Sequence, residues 1–143
     1  MSQALPGFRV LVADDDRVIA KTMSQILRLS GYEADMVCSG EEAVTVAAKT
    51  RPDVFISDVL MGGITGIEAA IRILKILPAC RVILISGHAN TAHQLDGARC
   101  KSHEFEILTK PVHPKMLLER IAAFAMERIA AQVQRNLQAD ARY

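Results

Sequence analysis

The sequence has almost no net charge, few cysteines and no long apolar run, and each of these shortages excludes a class of protein. A formal net charge of +1 leaves no broad basic surface for nucleic acid or for an anionic membrane. Cys38, Cys80 and Cys100 are odd in number and lack metal-ligand spacing, which indicates reduced thiols. No signal sequence is recognisable, and no stretch approaches the roughly 18 consecutive apolar residues of a membrane-spanning helix. We therefore expect a cytoplasmic protein that binds neither nucleic acid nor membranes.

The composition is that of a single folded domain. The 143 residues are 50% hydrophobic and 23% charged, which is ordinary for a globular protein. A chain of this length can bury roughly 68–70% of the surface that its unfolded form exposes. No repeat, low-complexity segment or linker divides it. One hydrophobic core is therefore expected.

Short apolar segments alternate with segments of helical periodicity. Strands are predicted at 8–13, 32–37, 53–57, 81–85 and 105–109. Helices are predicted at about 19–29, 40–49, 67–77 and 90–103, and a longer one begins at Pro114. Ser39 and Glu42 form a capping-box pattern, and Gly31 is placed to end the first helix. The alternation predicts an α/β protein in which helices cover both faces of a parallel sheet.

Polar side chains follow four of the predicted strands, at the point where each strand ends. They are Asp14, Asp15 and Asp16 after the first strand, Asp58 after the third, Ser86 after the fourth and Lys110 after the fifth. The carboxyl ends of parallel strands lie along one edge of the sheet, which is where ligands bind. Carboxylates, a hydroxyl and an ammonium group would therefore meet in one site. Such a set can hold a divalent cation and a phosphoryl group.

Asp58 is the candidate nucleophile, because it stands alone on its strand and precedes a loop rich in glycine. An aspartyl phosphate is an established covalent species. Lys110 can neutralise one phosphoryl oxygen, and the Ser86 hydroxyl can donate to another. Each residue also has a structural explanation, since the acidic triplet could cap a helix and the others could be turn residues. The coincidence of four such strand ends favours the functional interpretation.

These segments resemble the receiver domain of response regulators in two-component signal transduction. The matching segments are 10–16, 52–61, 82–87 and 108–111, and the resemblance covers about residues 7–127. It implies a flavodoxin-like (βα)5 fold, a three-layer sandwich with strand order 2-1-3-4-5. It implies that Asp58 is the phosphoacceptor of a phosphorelay. The donor would be a sensor histidine kinase or a phosphotransfer protein, and phosphorylation would switch binding to an unidentified downstream protein.

The same resemblance implies the roles of the other site residues. Mg²⁺ would be bound by Asp14, Asp15, Asp58 and the backbone carbonyl of Leu60. Lys110 would contact the phosphate, and the Lys110–Pro111 peptide bond would be cis. The domain would be a signalling phosphoprotein and not an enzyme, with at most slow self-dephosphorylation.

Two positions depart from the family's pattern, and two others flank the phosphorylation site. Gly62 stands where proline is frequent, so the loop has more conformational freedom. Ile107 replaces the usual aromatic switch residue, and Phe105, two positions earlier, either substitutes for it or is a core residue. Leu60 has no polar group to position a water molecule, whereas His88 has one. Slow dephosphorylation, set mainly by Leu60, is therefore expected.

The last helical pattern continues past the region of resemblance. We divide the chain into an N-terminal tail (1–7), a receiver domain (8–127) and a C-terminal helical extension (128–143). Ala122, Met126, Ile129 and Val133 follow a 4-3-4 spacing that could form a coiled-coil seam and a homodimer. A frayed tail is the alternative. No output domain follows in this sequence, so we expect a stand-alone receiver or a piece of a longer chain.

Two other functions fit part of the sequence. A phosphatase similar to haloacid dehalogenase would use Asp14 as nucleophile, with Ser86 and Lys110 in its second and third motifs. That interpretation lacks an acidic pair after Lys110 and leaves Asp58 unexplained. A receiver-like scaffold that binds its partner without phosphorylation would keep the fold and lose the switch. The intact set of site residues argues against that scaffold.

Overall fold

The computed structural model describes residues 7–87 and 105–140. The strands are β1 (Arg9–Ala13), β2 (Glu33–Val37), β3 (Val54–Asp58), β4 (Arg81–Ser86) and β5 (Glu106–Thr109). The helices are α1 (Arg17–Leu29), α2 (Gly40–Thr50), α3 (Gly66–Ile76) and α4 (Pro114–Asp140). All strand pairs are parallel, and the sheet order is β2-β1-β3-β4-β5, as predicted. The predicted helix at 90–103, His88, Cys100 and residues 1–6 lie outside the described residues.

Two apolar layers enclose the sheet, because side chains alternate between its faces along each strand. Leu11 and Phe55 point toward α2 and α3, where they pack in one buried cluster with residues such as Ala47 and Ile73. Val12 and Ile56 belong to a second cluster, which includes residues of α1 and α4 such as Leu27 and Ile121. The central strand β3 is buried along its whole length, as expected for a strand covered on both faces. This architecture confirms the three-layer α/β fold.

Helix ends follow local hydrogen bonding. The Asp16 carboxylate accepts the amide of Val18 at 3.0 Å and caps α1. Gly31, just past the end of that helix, has a φ of +96°, in agreement with its predicted role. The Ser39 hydroxyl accepts the amide of Glu42 at 3.1 Å, which confirms half of the capping box. The Glu42 carboxylate reaches the amide of Cys38 at 3.1 Å, one residue before the position a standard capping box uses.

The last helix has a buried half and an exposed half. Leu117, Ile121 and Phe124 pack on the sheet, whereas every residue from Met126 to Asp140 is exposed. Among the described residues, no helix is both long and apolar enough to cross a membrane.

Candidate functional site

Two neighbouring strands bring three carboxylates together. Asp58 ends β3, and Asp14 and Asp15 follow β1, whose last residue lies opposite Ser57 in the parallel register. One oxygen from each of Asp14, Asp15 and Asp58 lies within 4.8 Å of the others. The cluster expected from the strand ends is therefore present at the carboxyl edge of the sheet.

The three aspartates of the triplet differ in environment. Asp16 caps α1, so the structural explanation of the triplet applies to this residue. Asp14 is only 4% exposed, and its Oδ1 accepts the amide of Asp16 at 2.9 Å. Asp15 is exposed and shares the cluster with Asp14 and Asp58. Helix capping and cluster formation therefore coexist in consecutive residues.

Within residues 7–87 and 105–140, Lys110 is the cation that contacts this cluster. Its Nζ donates to Oδ2 of Asp58 at 2.9 Å, and its backbone amide donates to the carbonyl of Ser86 at 2.9 Å. The second bond continues the pairing of β4 with β5 beyond Thr109. The sheet therefore fixes the backbone position of Lys110. The Lys110–Pro111 peptide bond is cis, as the resemblance implied.

Two groups of this site have raised pKa values, Asp14 and Lys110. Burial raises the pKa of Asp14 above its ordinary value, and the charges of Asp58 and Asp15 act in the same direction. The amide of Asp16 and the charge of Lys110 oppose this rise only in part. The hydrogen bond to Asp58 raises the pKa of Lys110. Three carboxylates around one ammonium group form a set of hard oxygen donors that a divalent cation would neutralise.

Ser86 and Leu60 lie beside this cluster. Ser86 ends β4 and is 8% exposed. Leu60 follows Asp58 by two residues, its amide is 3.4 Å from Oδ1 of Asp58, and its apolar side chain is 45% exposed. The structure thus brings all the predicted site residues to one sheet edge: Asp14, Asp15, Asp58, Leu60, Ser86 and Lys110.

Gly66 contributes to the site in a way that sequence reasoning missed. A Cβ atom at this position would lie 2.2 Å from the carbonyl oxygen of Asp58 and 2.7 Å from Oγ of Ser57. Helix α3 therefore begins in direct contact with the end of β3, and only glycine fits there. The available signal was a glycine at the first position of a helix, where other residues are better helix formers.

Phe105 and Ile107 share one face at β5. Both are partly buried and pack against the cluster formed with α2 and α3. Phe105 therefore lies where the core interpretation expects it, beside the isoleucine that replaces the usual aromatic residue.

Comparisons with known proteins agree with this geometry. A family model described as "Response regulator receiver domain" matches residues 10–122. The chemotaxis protein CheY of Thermotoga maritima is 29% identical over 116 residues, which cover 80% of this chain and 95% of that protein. The DNA-binding response regulator MtrA of Mycolicibacterium paratuberculosis is 27% identical over 115 residues, which cover 80% of this chain and 50% of MtrA. The chain thus spans about half the length of this relative.

A solved structure is also similar. The receiver domain protein from Clostridium thermocellum superposes with a TM-score of 0.77 at 26% identity, over 89% of this chain and 99% of that one. Nothing in these comparisons supports a phosphatase similar to haloacid dehalogenase.

Proposed function

The chain belongs to the response regulator receiver domain family, and from this premise we propose that Asp58 is its phosphoacceptor. Receiver domains are signalling domains that interact with histidine kinases or phosphotransfer proteins. One observation carries the proposal. Asp58 ends the central strand inside an acidic cluster, and its carboxylate accepts a hydrogen bond from Lys110 at 2.9 Å.

The proposed reaction is a transfer from phosphohistidine. An oxygen of Asp58 forms a bond to phosphorus while the phosphorus–nitrogen bond breaks, and the electron pair remains on the imidazole nitrogen. Asp58 is only 9% exposed, so its orientation is fixed by its surroundings. The Lys110 ammonium group can move from the carboxylate to a phosphoryl oxygen, and the Ser86 hydroxyl can donate to another.

We propose that Asp14, Asp15, Asp58 and the carbonyl of Leu60 bind Mg²⁺. The donor set supports this assignment, because one oxygen from each of three carboxylates lies within 4.8 Å of the others. Bound Mg²⁺ would neutralise negative charge on the carboxylates and on the phosphoryl oxygens. Without it, the three carboxylates repel one another.

We propose that the phosphorylated state is long-lived, so that the domain signals and does not act as an enzyme. Leu60 supports this proposal, because its exposed side chain lies next to Asp58 and offers no group to position a water molecule. Replacing Leu60 with asparagine should shorten the half-life of the phosphorylated protein, measured by loss of phosphoryl mass with time. An unchanged decay would reject the role of Leu60.

We also propose that a second copy of the chain binds the exposed half of α4, which begins near our proposed boundary at residue 127. Four apolar side chains on this half, 38–62% exposed, form one stripe: Met126, Ile129, Val133 and Leu137. A contiguous apolar stripe exposed along a helix is typical of a surface that a partner covers.

Sedimentation tests this association. The native chain should show a concentration-dependent dimer, and both deletion after Glu127 and Val133→Lys should leave a monomer. The exposed position of Val133 makes this substitution compatible with folding. A native chain that stays monomeric at all concentrations would reject the dimer.

Intact mass tests the phosphoacceptor itself. After incubation with Mg²⁺ and acetyl phosphate, the native chain should gain one phosphoryl group and Asp58→Asn should gain none. If Mg²⁺ binds and neither protein gains mass, the phosphorylation-independent scaffold becomes the better account.

A further inference from the structure

The loop between β3 and α3 contacts the first turn of α2. This loop, residues 59–65, begins directly after Asp58. The amide of Ile64 donates to Oε1 of Glu41 at 2.8 Å, although the two residues are 23 positions apart. A Cβ atom at Gly40 would lie 2.5 Å from Cγ1 and 3.0 Å from the carbonyl oxygen of Ile64. The helix and the loop are therefore packed closely at this point.

Gly63 completes the contact. Its φ is +77°, and a Cβ atom there would lie 2.6 Å from both carboxylate oxygens of Glu41. The carboxylate thus lies directly over this glycine while it accepts the neighbouring amide. We call the set Gly40, Glu41, Gly63 and Ile64 the Glu41 contact.

The Glu41 contact lies where the loop needs an external support. Gly62 has no atom within 4 Å of its hypothetical Cβ, and Gly63 follows it, so this segment has large conformational freedom of its own. The loop ends are held by backbone bonds, from Val59 to the carbonyl of Ile85 at 3.1 Å and from Gly66 to the carbonyl of Val59 at 2.9 Å. Glu41 adds a side-chain acceptor between these ends.

We propose that Glu41 is a positioning residue for Mg²⁺ binding at the proposed phosphorylation site. By accepting the amide of Ile64, it holds the loop in the conformation that places Leu60 next to Asp58 before Mg²⁺ binds. This inference rests on the proposed function, because Leu60 is assigned there as a carbonyl ligand. Glu41 contacts neither the ion nor the phosphoryl group, so it acts on the affinity for Mg²⁺ and not on the transfer step.

Titration calorimetry with Mg²⁺ measures the predicted effect. Glu41→Ala should weaken Mg²⁺ binding about fivefold, the size expected for the loss of one typical hydrogen bond of about 1 kcal/mol. Glu41→Gln keeps an oxygen acceptor and should stay within about twofold of the native chain. Glu68→Ala is the matched control. It removes a carboxylate from the first turn of α3, where Glu68 pairs with Arg72 at 3.2 Å.

Two further readouts separate positioning from general destabilisation. At saturating Mg²⁺, the rate of phosphorylation by acetyl phosphate should be nearly equal in Glu41→Ala and the native chain. Without Mg²⁺, amide hydrogen exchange at Ile64 should be about tenfold faster in Glu41→Ala, because the amide has lost its acceptor. Core amides of β3 should exchange at the native rate in the same sample.

Each contrary result has a distinct meaning. Native affinity in Glu41→Ala, or equal weakening in Glu41→Gln or Glu68→Ala, would overturn the positioning role while the proposed function stands. A native chain that binds no Mg²⁺ would overturn the proposed function and this inference together.

Discussion

The two edges of the sheet differ in how their charges are balanced. At the carboxyl edge, Asp14, Asp15 and Asp58 face one described cation, Lys110. At the amino edge, acidic and basic groups are matched. Arg128 pairs with Asp53, and Arg81 pairs with Glu127 at 3.4 Å.

The charged groups at the amino edge also make further contacts within the chain. Asp53 accepts the amide of Arg9 at 2.8 Å through its other oxygen. The guanidinium of Arg128 lies 5.3 Å from the ring centroid of Phe8, and that of Arg81 lies 4.7 Å from Phe124. These contacts bind α4 to the sheet, and each charged group has its partner within the chain. The comparison teaches that charge alone does not mark a site. An acidic cluster that one described lysine leaves unbalanced, with a raised pKa at the buried Asp14, does.

The largest predicted difference between the edges concerns phosphorylation. Asp58→Asn should abolish phosphoryl incorporation, whereas Asp53→Asn should retain it. Asp53→Asn should instead lower the free energy of unfolding by about 2 kcal/mol, because it weakens the pair with Arg128. Denaturant unfolding and intact mass measure both quantities in both variants. Equal loss of phosphorylation in the two variants would break the comparison.

The next largest predicted effect concerns the free energy of unfolding with and without Mg²⁺. Mg²⁺ at 100 times its dissociation constant should raise the free energy of unfolding of the native chain by about 2.7 kcal/mol. Asp14→Asn should lose this gain and be about 1 kcal/mol more stable than the native chain in chelator, since it removes a buried, repelled charge. Thermal unfolding with Mg²⁺ and with chelator checks both signs. Stabilisation by Mg²⁺ in Asp14→Asn would contradict the assignment.

The smallest effect is on the pH dependence of the metal-free protein. A carboxyl with a raised folded pKa binds more protons in the folded than in the unfolded state. The stability that depends on Asp14 is therefore present at pH values below the unfolded pKa, near 3.8, and is lost as pH rises through the folded pKa. Asp14→Asn should lack this decline. Denaturant unfolding in chelator between pH 4 and pH 7 measures the difference, on the order of 1 kcal/mol. Parallel pH profiles would show that Asp14 is not perturbed.

The sequence predicted the carboxyl edge well, because the signals are local. Each strand is a short apolar run that ends at a polar residue, so the strand ends and their order along the chain could be read directly. The different roles of the three aspartates in the triplet could not be predicted from the sequence. Capping by Asp16 and clustering of Asp14 use the same residue type, and only the start of α1 distinguishes them.

The amino edge and the Glu41 contact escaped prediction for a common reason. Arg128 with Asp53, and Glu41 with Ile64, are pairs distant in the chain that only the folded sheet brings together. Neither pair leaves a spacing pattern in the sequence. The capping box was predicted only in part. The Ser39 hydroxyl accepts the amide of Glu42 as predicted, but the Glu42 carboxylate accepts the amide of Cys38 and not that of Ser39.

The position of the phosphoryl group tests the central claim most directly. The native chain would be treated with Mg²⁺ and acetyl phosphate, digested, and mapped by peptide mass spectrometry. We predict one phosphoryl group, on Asp58, that does not form when Mg²⁺ is chelated. A phosphoryl group on Asp14 or Asp15, or one on Asp58 that forms equally well without Mg²⁺, would contradict the account.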